Sequence, residues 1–163
     1  MIPEIKKILY ATDLSESSRM SLSWAMALAA KHNAPLLMLN VIEEIGSSSP
    51  SLQFYLTEQE WDDLQQRINR DAAEIMKKNL AGFCDSVKAE IPECTYVADE
   101  IIVVAGDPVD KIISTAVDRH CDVIVMGTVG AGGLVGAIMG STARRVLRRS
   151  PIPVLVVPKK TGG

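Results

Sequence analysis

Short runs of aliphatic residues alternate along this chain with longer segments of helical periodicity, and this alternation restricts the fold more than any other feature. Runs such as residues 35–41 (PLLMLNV) are almost wholly apolar, which is typical of strands covered on both faces. Strands separated by helices form right-handed crossovers and therefore a parallel sheet. The pattern predicts an open, doubly wound α/β domain. The predicted strands are residues 7–11, 35–41, 100–104, 123–126 and 153–157, and the predicted helices are residues 15–31, 57–86, 108–120 and 141–149.

The ends of the predicted strands indicate where a ligand would lie. In doubly wound sheets, ligands bind outside the carboxyl ends of the strands, at the point where the strand order reverses. The first strand leads into Asp13 and the fourth leads into Gly127. If these two strands are neighbours, the loops that follow them face one crevice. The helix between the first two strands is apolar nearly all round, which predicts deep burial.

Composition and charge narrow the class of protein. The 163 residues suit one domain, which we take as residues 1–163. A net charge of −3 and a pI near 5.4 argue against nucleic acid as the main partner, because surfaces that bind nucleic acids carry an excess of lysine and arginine. No apolar run approaches the roughly 20 residues that span a bilayer, and the first residues lack a signal-peptide layout. We therefore expect a cytoplasmic protein that contacts no membrane.

Glycines are concentrated in one segment, residues 127–142 (GTVGAGGLVGAIMGST), which follows the fourth predicted strand. Without Cβ atoms, a backbone approaches a ligand closely and points its N–H groups inward. Gly140, Ser141 and Thr142 then open a helix, whose free N–H groups and dipole favour an anion. The segment predicts a phosphate-binding loop, and a flexible connection with ordinary helix capping is the alternative. Six of the eleven glycines of the chain lie here: Gly127, Gly130, Gly132, Gly133, Gly136 and Gly140.

The loop matches neither of two common phosphate-binding motifs. It lacks the GK[ST] of a Walker loop, and it follows a late strand, whereas the dinucleotide motif GxGxxG follows the first strand of its unit. The loop also contains no lysine, and no general base is evident at its phosphate end. These two features predict that any hydrolysis is slow.

Four arginines form a basic run on the last predicted helix: Arg144, Arg145, Arg148 and Arg149. A phosphate would lie at the start of that helix, and at about 1.5 Å per residue Arg148 is about 10 Å further along. We therefore predict that the run serves the helix C-terminal dipole and contacts solvent, and a contact with a partner is the alternative.

The spacing Gly127-x2-Gly130-x9-Gly140-Ser141 resembles the G-2x-G-9x-G-[S/T] signature of the ATP-binding branch of the universal stress protein family. The opening KKILYATDLSESS is similar to that family's first strand and its aspartate. DVIVMGTVGAGGL is similar to the fourth strand and loop, and SPIPVLVVP to the last strand. The resemblance covers the whole chain. It implies a five-stranded, mostly parallel sheet with strand order 3-2-1-4-5 and helices on both faces.

The resemblance also implies a ligand and the residues that bind it. The ligand is ATP, with Mg²⁺ or Mn²⁺ on its phosphates. Asp13 would lie at the ribose, the backbone of Val41 at the adenine edge, and the loop with Ser141 at the phosphates. Homodimers would form through the last strand, Val154–Val157, since a bare apolar edge strand is prone to aggregate. The predicted nucleotide-binding residues are Ala11, Thr12, Asp13, Val41, Met126, Gly127, Gly130, Gly132, Gly133, Gly140, Ser141 and Thr142.

Two residues depart from the family pattern. Ala11 stands where members often have proline, and Val129 stands where a polar or basic residue is common. We expect these residues to weaken nucleotide binding without abolishing it, because the backbone donors of the loop remain.

Two alternatives stay open at the level of sequence. Asp13 either meets a ribose hydroxyl or caps the helix that follows it, and both roles are compatible in different states. For the protein as a whole, the sequence predicts a nucleotide-dependent regulator of the stress response. A slow ATPase and a dimeric stress module without bound nucleotide are the alternatives.

Overall fold

The structure is a computed structural model, and it describes residues 1–15, 18–42, 54–90, 98–128 and 139–159. Strands and helices alternate throughout these ranges, as the sequence predicts. In chain order they are β1 (Ile8–Ala11), α1 (Ser18–His32), β2 (Leu36–Ile42), α2 (Glu58–Glu90), β3 (Glu100–Ala105), α3 (Pro108–Asp118), β4 (Val123–Gly127), α4 (Ser141–Arg149) and β5 (Val154–Val157).

The five strands form one parallel sheet with the order β3-β2-β1-β4-β5. This confirms the predicted fold class and strand order. β1 lies at the centre, and Tyr10 is in register with Met38 of β2 and with Val125 of β4. The chain therefore extends the sheet to one side of β1 through β2 and β3, and to the other side through β4 and β5. β1 is the point where the strand order reverses.

The two faces of the sheet carry separate cores, because successive side chains of a strand point to opposite faces. Ile8 and Tyr10 pack in one core together with side chains of α1 and α2. Leu9 and Ala11 pack in the other core together with side chains of α3 and α4. Helices therefore cover both faces, as predicted. None of the helices in the described ranges combines the length and apolarity needed to cross a membrane.

The predicted deep burial of the first helix is wrong. The α1 side chains that reach the core include Leu22, Ala25 and Ala29, whereas Trp24 is 52% exposed. An outer helix of a doubly wound fold always turns one side to solvent. The exposed side of α1 carries alanines and Trp24, so its apolar composition does not distinguish it from the buried side.

α2 begins with a reciprocal pair of side-chain caps. The backbone N–H of Glu60 donates to Thr57 Oγ1 at 3.2 Å, and Glu60 Oε2 accepts from the backbone N–H of Thr57 at 2.8 Å. This capping box satisfies two N–H groups that the helix itself leaves unpaired. The same backbone hydrogen bond from Thr57 lowers the pKa of the Glu60 carboxyl. The start of α2 agrees with its predicted position at Thr57.

Gly106 makes the turn from β3 into α3 in a conformation that few other residues adopt. Its φ is +142°, and its backbone N–H donates to Ile42 O at 2.9 Å. Asp107 then caps α3 by accepting from the backbone N–H of Asp110 at 3.1 Å, and Pro108 opens the helix.

Replacing Gly106 by alanine is expected to lower the free energy of unfolding by about 1–3 kcal/mol, because the positive φ is strained for an L-residue. The new Cβ would also lie 2.7 Å from Lys111 Cε. Gly82→Ala is the matched control within α2, where an added Cβ meets nothing within 4 Å. It should raise stability by about 0.5–1 kcal/mol. Urea unfolding measures both variants, and effects of the same sign would contradict the role of Gly106.

Candidate nucleotide-binding site

The carboxyl ends of β1, β2 and β4 meet at one edge of the sheet. Because Tyr10 pairs with Val125 and Ala11 pairs with Leu39, the turn after β1 is flanked by Met126 of β4 and by the end of β2. The first and fourth strands are thus neighbours, which meets the condition set by the sequence. Among the predicted site residues, the structure brings Ala11, Thr12, Asp13, Val41, Met126, Gly127, Gly140, Ser141 and Thr142 to this edge.

Thr12 fixes the path of the chain as it leaves β1. It is buried, and its backbone N–H donates to Leu39 O at 2.9 Å. Its side-chain Oγ1 accepts from the backbone N–H of Leu14 at 3.0 Å, and Leu14 has a φ of +66°. The turn is therefore held from both sides immediately around Asp13.

Asp13 is exposed and contacts the beginning of α1. Its Oδ1 accepts from the backbone N–H of Ser15 and from Ser18 Oγ, each at 3.0 Å. These bonds join Asp13 to the turn before α1 and to the side chain of the first residue of α1. The ribose contact stays a prediction, and it is compatible with this geometry because a carboxylate has acceptor capacity for several donors.

Tyr10 supports the same helix start from inside the core. Its hydroxyl donates to Ser18 O at 2.7 Å and lies 3.3 Å from Ser21 Oγ. Burial of the ring and its hydroxyl raises the pKa of Tyr10 to about 12. The turn that carries Asp13 thus rests on a buried and fully packed aromatic residue.

Thr128 joins the two ends of the glycine-rich loop. Its backbone N–H donates to Val157 O at 3.1 Å, and its carbonyl accepts from the backbone N–H of Gly140 at 2.6 Å. Its Oγ1 accepts from the backbone N–H of Lys159 at 3.3 Å. The ends of the loop are therefore attached to each other and to the chain after β5. Val129, Gly130, Gly132, Gly133 and Gly136 lie outside the described residues.

α4 starts with no side-chain cap. Its N-cap is Gly140, which has no side chain to offer, and the backbone N–H of Gly140 is already donated to Thr128 O. In this part of the described chain, the N–H groups of Ser141, Thr142 and Ala143 are the first-turn donors that point out of the helix start. With the helix dipole, they form a place suited to an anion. The backbone N–H of Gly140 therefore closes the loop, and the next three residues carry the first-turn N–H groups of α4.

The arginine run of α4 contacts the beginning of α3. Arg149 Nη2 lies 2.7 Å from Asp110 Oδ1, and Arg145 Nη1 lies 4.0 Å from Asp107 Oδ2. Arg144 donates to Met139 O at 3.3 Å, at the end of the loop. The sequence predicted that these arginines serve the C-terminal dipole and contact solvent. It did not predict their contacts with the beginning of α3 and with the end of the loop. All these side chains are substantially exposed, so each pair stabilises by at most about 1 kcal/mol.

Two site residues were missed by sequence reasoning, namely Thr128 and Asn40. Asn40 is 5% exposed, and its Nδ2 donates to Thr12 O at 2.9 Å. It is the polar residue within the apolar run PLLMLNV, and that interruption next to Val41 was a usable signal. Thr128 has no such signal, because its bonding depends on residues far along the chain. Val41 itself is half-buried near the end of β2, opposite Val104 of β3.

The architecture and the sequence also match known proteins. The model of the universal stress protein family matches residues 4–158. The chain belongs to the universal stress protein family. Universal stress protein MJ0577 of Methanocaldococcus jannaschii is 29% identical over 160 residues, covering 95% of this chain and 96% of that protein. The solved structure of MJ0577 covers 98% of this chain and 100% of its own, with a TM-score of 0.71 and 28% identity.

Two further structures with this fold contain nucleotides. One is a universal stress protein in complex with cAMP, with a TM-score of 0.60 and 21% identity, covering 97% of this chain and 100% of its own. The other is the universal stress protein of Archaeoglobus fulgidus in complex with dAMP, with a TM-score of 0.58 and 19% identity, covering 96% and 98%. At these identities the likeness shows a shared fold.

The raised pKa of Tyr10 makes stability fall at alkaline pH. The folded protein favours the protonated phenol, so this contribution is complete below pH 10 and is lost as the pH rises from 10 toward 12. The total loss is about 2–3 kcal/mol. Urea unfolding from pH 7 to pH 11.5 measures the decline.

Tyr10→Phe should be less stable by about 1 kcal/mol at pH 7, because it removes the hydrogen bond to Ser18 O. It should also show a shallower alkaline decline than the unmodified protein. Tyr55→Phe is the matched control, since Tyr55 is 88% exposed, and it should keep the original pH dependence. An unchanged decline in Tyr10→Phe would exclude Tyr10 as its source.

Proposed function

We propose that this protein binds ATP in the crevice between β1, β2 and β4 and acts as a nucleotide-dependent regulator of the stress response. The observation that carries the proposal is the uncapped start of α4, which follows a glycine-rich loop whose ends are joined by Thr128. Three outward N–H groups and a helix dipole at a sheet switch point suit a phosphate group.

The relatives support adenine nucleotides as the ligand class. Two universal stress proteins of this fold have been solved with cAMP and with dAMP. The glycine spacing of residues 127–142 has the form that the ATP-binding branch of the family uses. We therefore assign the ATP-binding branch and its G-2x-G-9x-G-[S/T] signature to this chain as part of the proposal.

Each part of the nucleotide would meet a different element. The N–H groups of Ser141 and Thr142 would donate to phosphate oxygens, together with the loop backbone. Asp13 would accept from a ribose hydroxyl, and the backbone of Val41 would meet the adenine edge. Met126 and Gly127 would line the nucleoside side.

A divalent ion completes the proposed ligand. Mg²⁺ or Mn²⁺ would lie on the phosphate oxygens and neutralise part of their charge. Within the described ranges, no group of three His, Cys, Asp or Glu side chains is placed to hold a metal ion. The ion would accordingly arrive with the nucleotide.

Binding rather than rapid turnover is the proposed activity. Residues 127–142 contain no lysine, the residue that dedicated NTPases use to neutralise charge on the transferred phosphate. The donors at the start of α4 are backbone groups, which hold a phosphate without activating a water. Slow hydrolysis is compatible with this site, and we assign it no catalytic residue.

ATP with Mg²⁺ should raise the melting temperature, because ligand at a hundred times its dissociation constant adds about 2.7 kcal/mol of stability. Ser141→Glu should weaken ATP binding about tenfold or more, since the new carboxylate repels phosphate and competes for the same N–H groups. The same change should stabilise the ligand-free protein by up to about 1 kcal/mol through the helix dipole.

Gln66→Glu, at an exposed position of α2, is the matched control that adds the same charge on the opposite face of the sheet. It should bind ATP as the unmodified protein does. A melting temperature that does not change with millimolar ATP, ADP or AMP would contradict the proposed function. If Ser141→Glu binds ATP as tightly as the unmodified protein does, the phosphate does not bind at the start of α4.

We also propose a homodimer formed through β5. β5 is the last strand on one side of the sheet, and it is flanked by Pro153 and Pro158. The carbonyl groups of Pro153 and Val157 accept hydrogen bonds from the β4 side. Because successive residues of a strand point their backbone groups in opposite directions, those of Val154 and Val156 point outward. An edge of this kind pairs readily with the same edge of a second copy.

Val156→Pro should dissociate this dimer, because it removes an outward N–H without removing a hydrogen bond to β4. Val156→Thr keeps the N–H and the β-branched shape, so it should remain dimeric. Sedimentation equilibrium gives the mass of each variant, and circular dichroism checks that each is folded. A monomeric mass for the unmodified protein at every concentration would exclude the dimer.

A further inference from the structure

α2 is longer than the sheet on which it packs. It has 33 residues and is about 50 Å long at about 1.5 Å per residue, whereas the seven residues of β2 span about 23 Å. Its buried side chains are Leu80, Cys84 and Val87, which all lie in its last third. Residues 58–79, which we call the α2 extension, therefore contain no fully buried side chain.

The α2 extension nevertheless carries an apolar stripe. Six apolar residues recur at steps of three and four, which places them on one side of the helix. Ile75 is 60% exposed, and the other five are partly exposed. Among the residues that the structure describes, none of the six belongs to either core. Such a stripe is suited to pack against a further helix. The six residues are Trp61, Leu64, Ile68, Ala72, Ile75 and Met76.

A line of alternating charges runs beside this stripe. Four exposed charged residues follow one another at intervals of seven, four and seven positions, and they are Glu60, Arg67, Asp71 and Lys78. The first and the last are five helical turns apart, so the four side chains lie in one line along the helix. Within the described ranges, Arg67, Asp71 and Lys78 take part in no ion pair. Glu60 accepts from Thr57 and still has acceptor capacity on its carboxylate.

The order of these charges is complementary to its own reverse. Acidic and basic residues alternate along the line, and the line is symmetric about Asn69. If a second copy of α2 lies antiparallel with Asn69 beside Asn69, then Glu60 is opposite Lys78. In the same register, Arg67 is opposite Asp71. A parallel copy would instead place each charge beside the same charge. Because charges that flank an apolar stripe set the direction in which two helices pair, this line favours the antiparallel pair.

The apolar stripe fits the same register. Leu64 comes level with Ile75 of the second copy to within one residue, and Ile68 comes level with Ala72 to within two. Apolar side chains of one copy therefore meet apolar side chains of the other. The stripe supplies most of the affinity, because exposed ion pairs contribute little individually. The charges select the direction and the register.

We propose that the α2 extension is a self-association surface, on which a second copy of this chain binds antiparallel through its own α2 extension. The pair has a twofold axis, so each copy contributes the same residues. The extension carries six acidic and four basic side chains, so it lacks the basic excess that attracts anionic lipids or nucleic acid. An acidic or a basic peptide would meet repulsion at every second charge of the line.

This surface is separate from the other proposed contacts. α2 packs beside β3, which lies on the side of β1 away from β5. The residues proposed to bind the nucleotide include none from α2. The inference therefore depends neither on the nucleotide nor on the β5 dimer. If both twofold contacts form, the assembly is larger than a dimer.

Two charge reversals test the register. Arg67→Glu places acidic residues opposite each other in the pair, and Asp71→Lys places basic residues opposite each other. Each variant alone should associate through α2 about tenfold or more weakly than the unmodified protein. A 1:1 mixture should recover the affinity to within about threefold, because the two reversed charges then face each other. Energy transfer between donor-labelled and acceptor-labelled copies, titrated over concentration, measures each mixture. Association through β5 adds equally to every mixture, since neither substitution lies in that strand.

Arg70→Glu and Glu74→Lys are the matched controls. They reverse an exposed basic and an exposed acidic residue at the same spacing of four, on the side of α2 opposite the stripe. Each should associate as the unmodified protein does. Ile68→Asp tests the stripe itself and should abolish association through α2 in every mixture. Circular dichroism checks that its helix content stays close to that of the unmodified protein.

Four results would overturn the proposal. The first is energy transfer in the unmodified protein that does not exceed the transfer in Ile68→Asp. The second is a mixture of Arg67→Glu and Asp71→Lys that associates no better than either variant alone. The third is unfolding of Ile68→Asp in less urea than Arg70→Glu below the association range, because the stripe then packs within one chain. The fourth is binding to phosphatidylglycerol vesicles by the unmodified protein but not by Ile68→Asp, which would make a membrane the occupant.

Discussion

The pairing of β1 on both edges is the constraint on which the rest of this protein depends. All four residues of β1 are buried, so its backbone N–H and C=O groups have no water to bond and need strands on both sides. β2 and β4 supply them. Since the chain must therefore build outward from β1 in two directions, the strand order reverses there. The crevice at the carboxyl end of β1 is a direct result of that reversal.

The candidate site in this crevice is made mostly of backbone groups, and hydrogen bonds between distant parts of the chain hold them in place. Thr128 joins the root of the glycine-rich loop to Gly140 and to the chain after β5. Thr12 and Tyr10 support the opposite wall. Groups held in this way are suited to accept a phosphate without reorganisation.

Much of the fold was predictable from the sequence, and so was the sheet edge at which most of the predicted site residues lie. The strands were predictable because an unbroken aliphatic run is a local signal for burial on both faces. The positions of Asp13, Gly127 and Ser141 were predictable because they follow strand ends or open a helix. Asn40 and Thr128 were not assigned to the site, because their partners lie 28 and 12 residues away. The exposure of Trp24 was also not predicted, because an alanine-rich helix is apolar on its exposed side as well as on the side that packs on the sheet.

The sequence by itself determined the order and type of the elements, the α/β class, and a cluster of glycines ahead of a helix start. These are local properties, set by side-chain periodicity and by the conformational freedom of glycine. The tertiary structure alone decided that the N–H of Gly140 closes the loop on Thr128, directly before the first turn of α4. It also decided that the amide nitrogen of Asn40 donates to Thr12 O, while the amide oxygen has no hydrogen-bond partner within the described chain. Both outcomes depend on which strands lie side by side, and only the packing of the whole sheet specifies that.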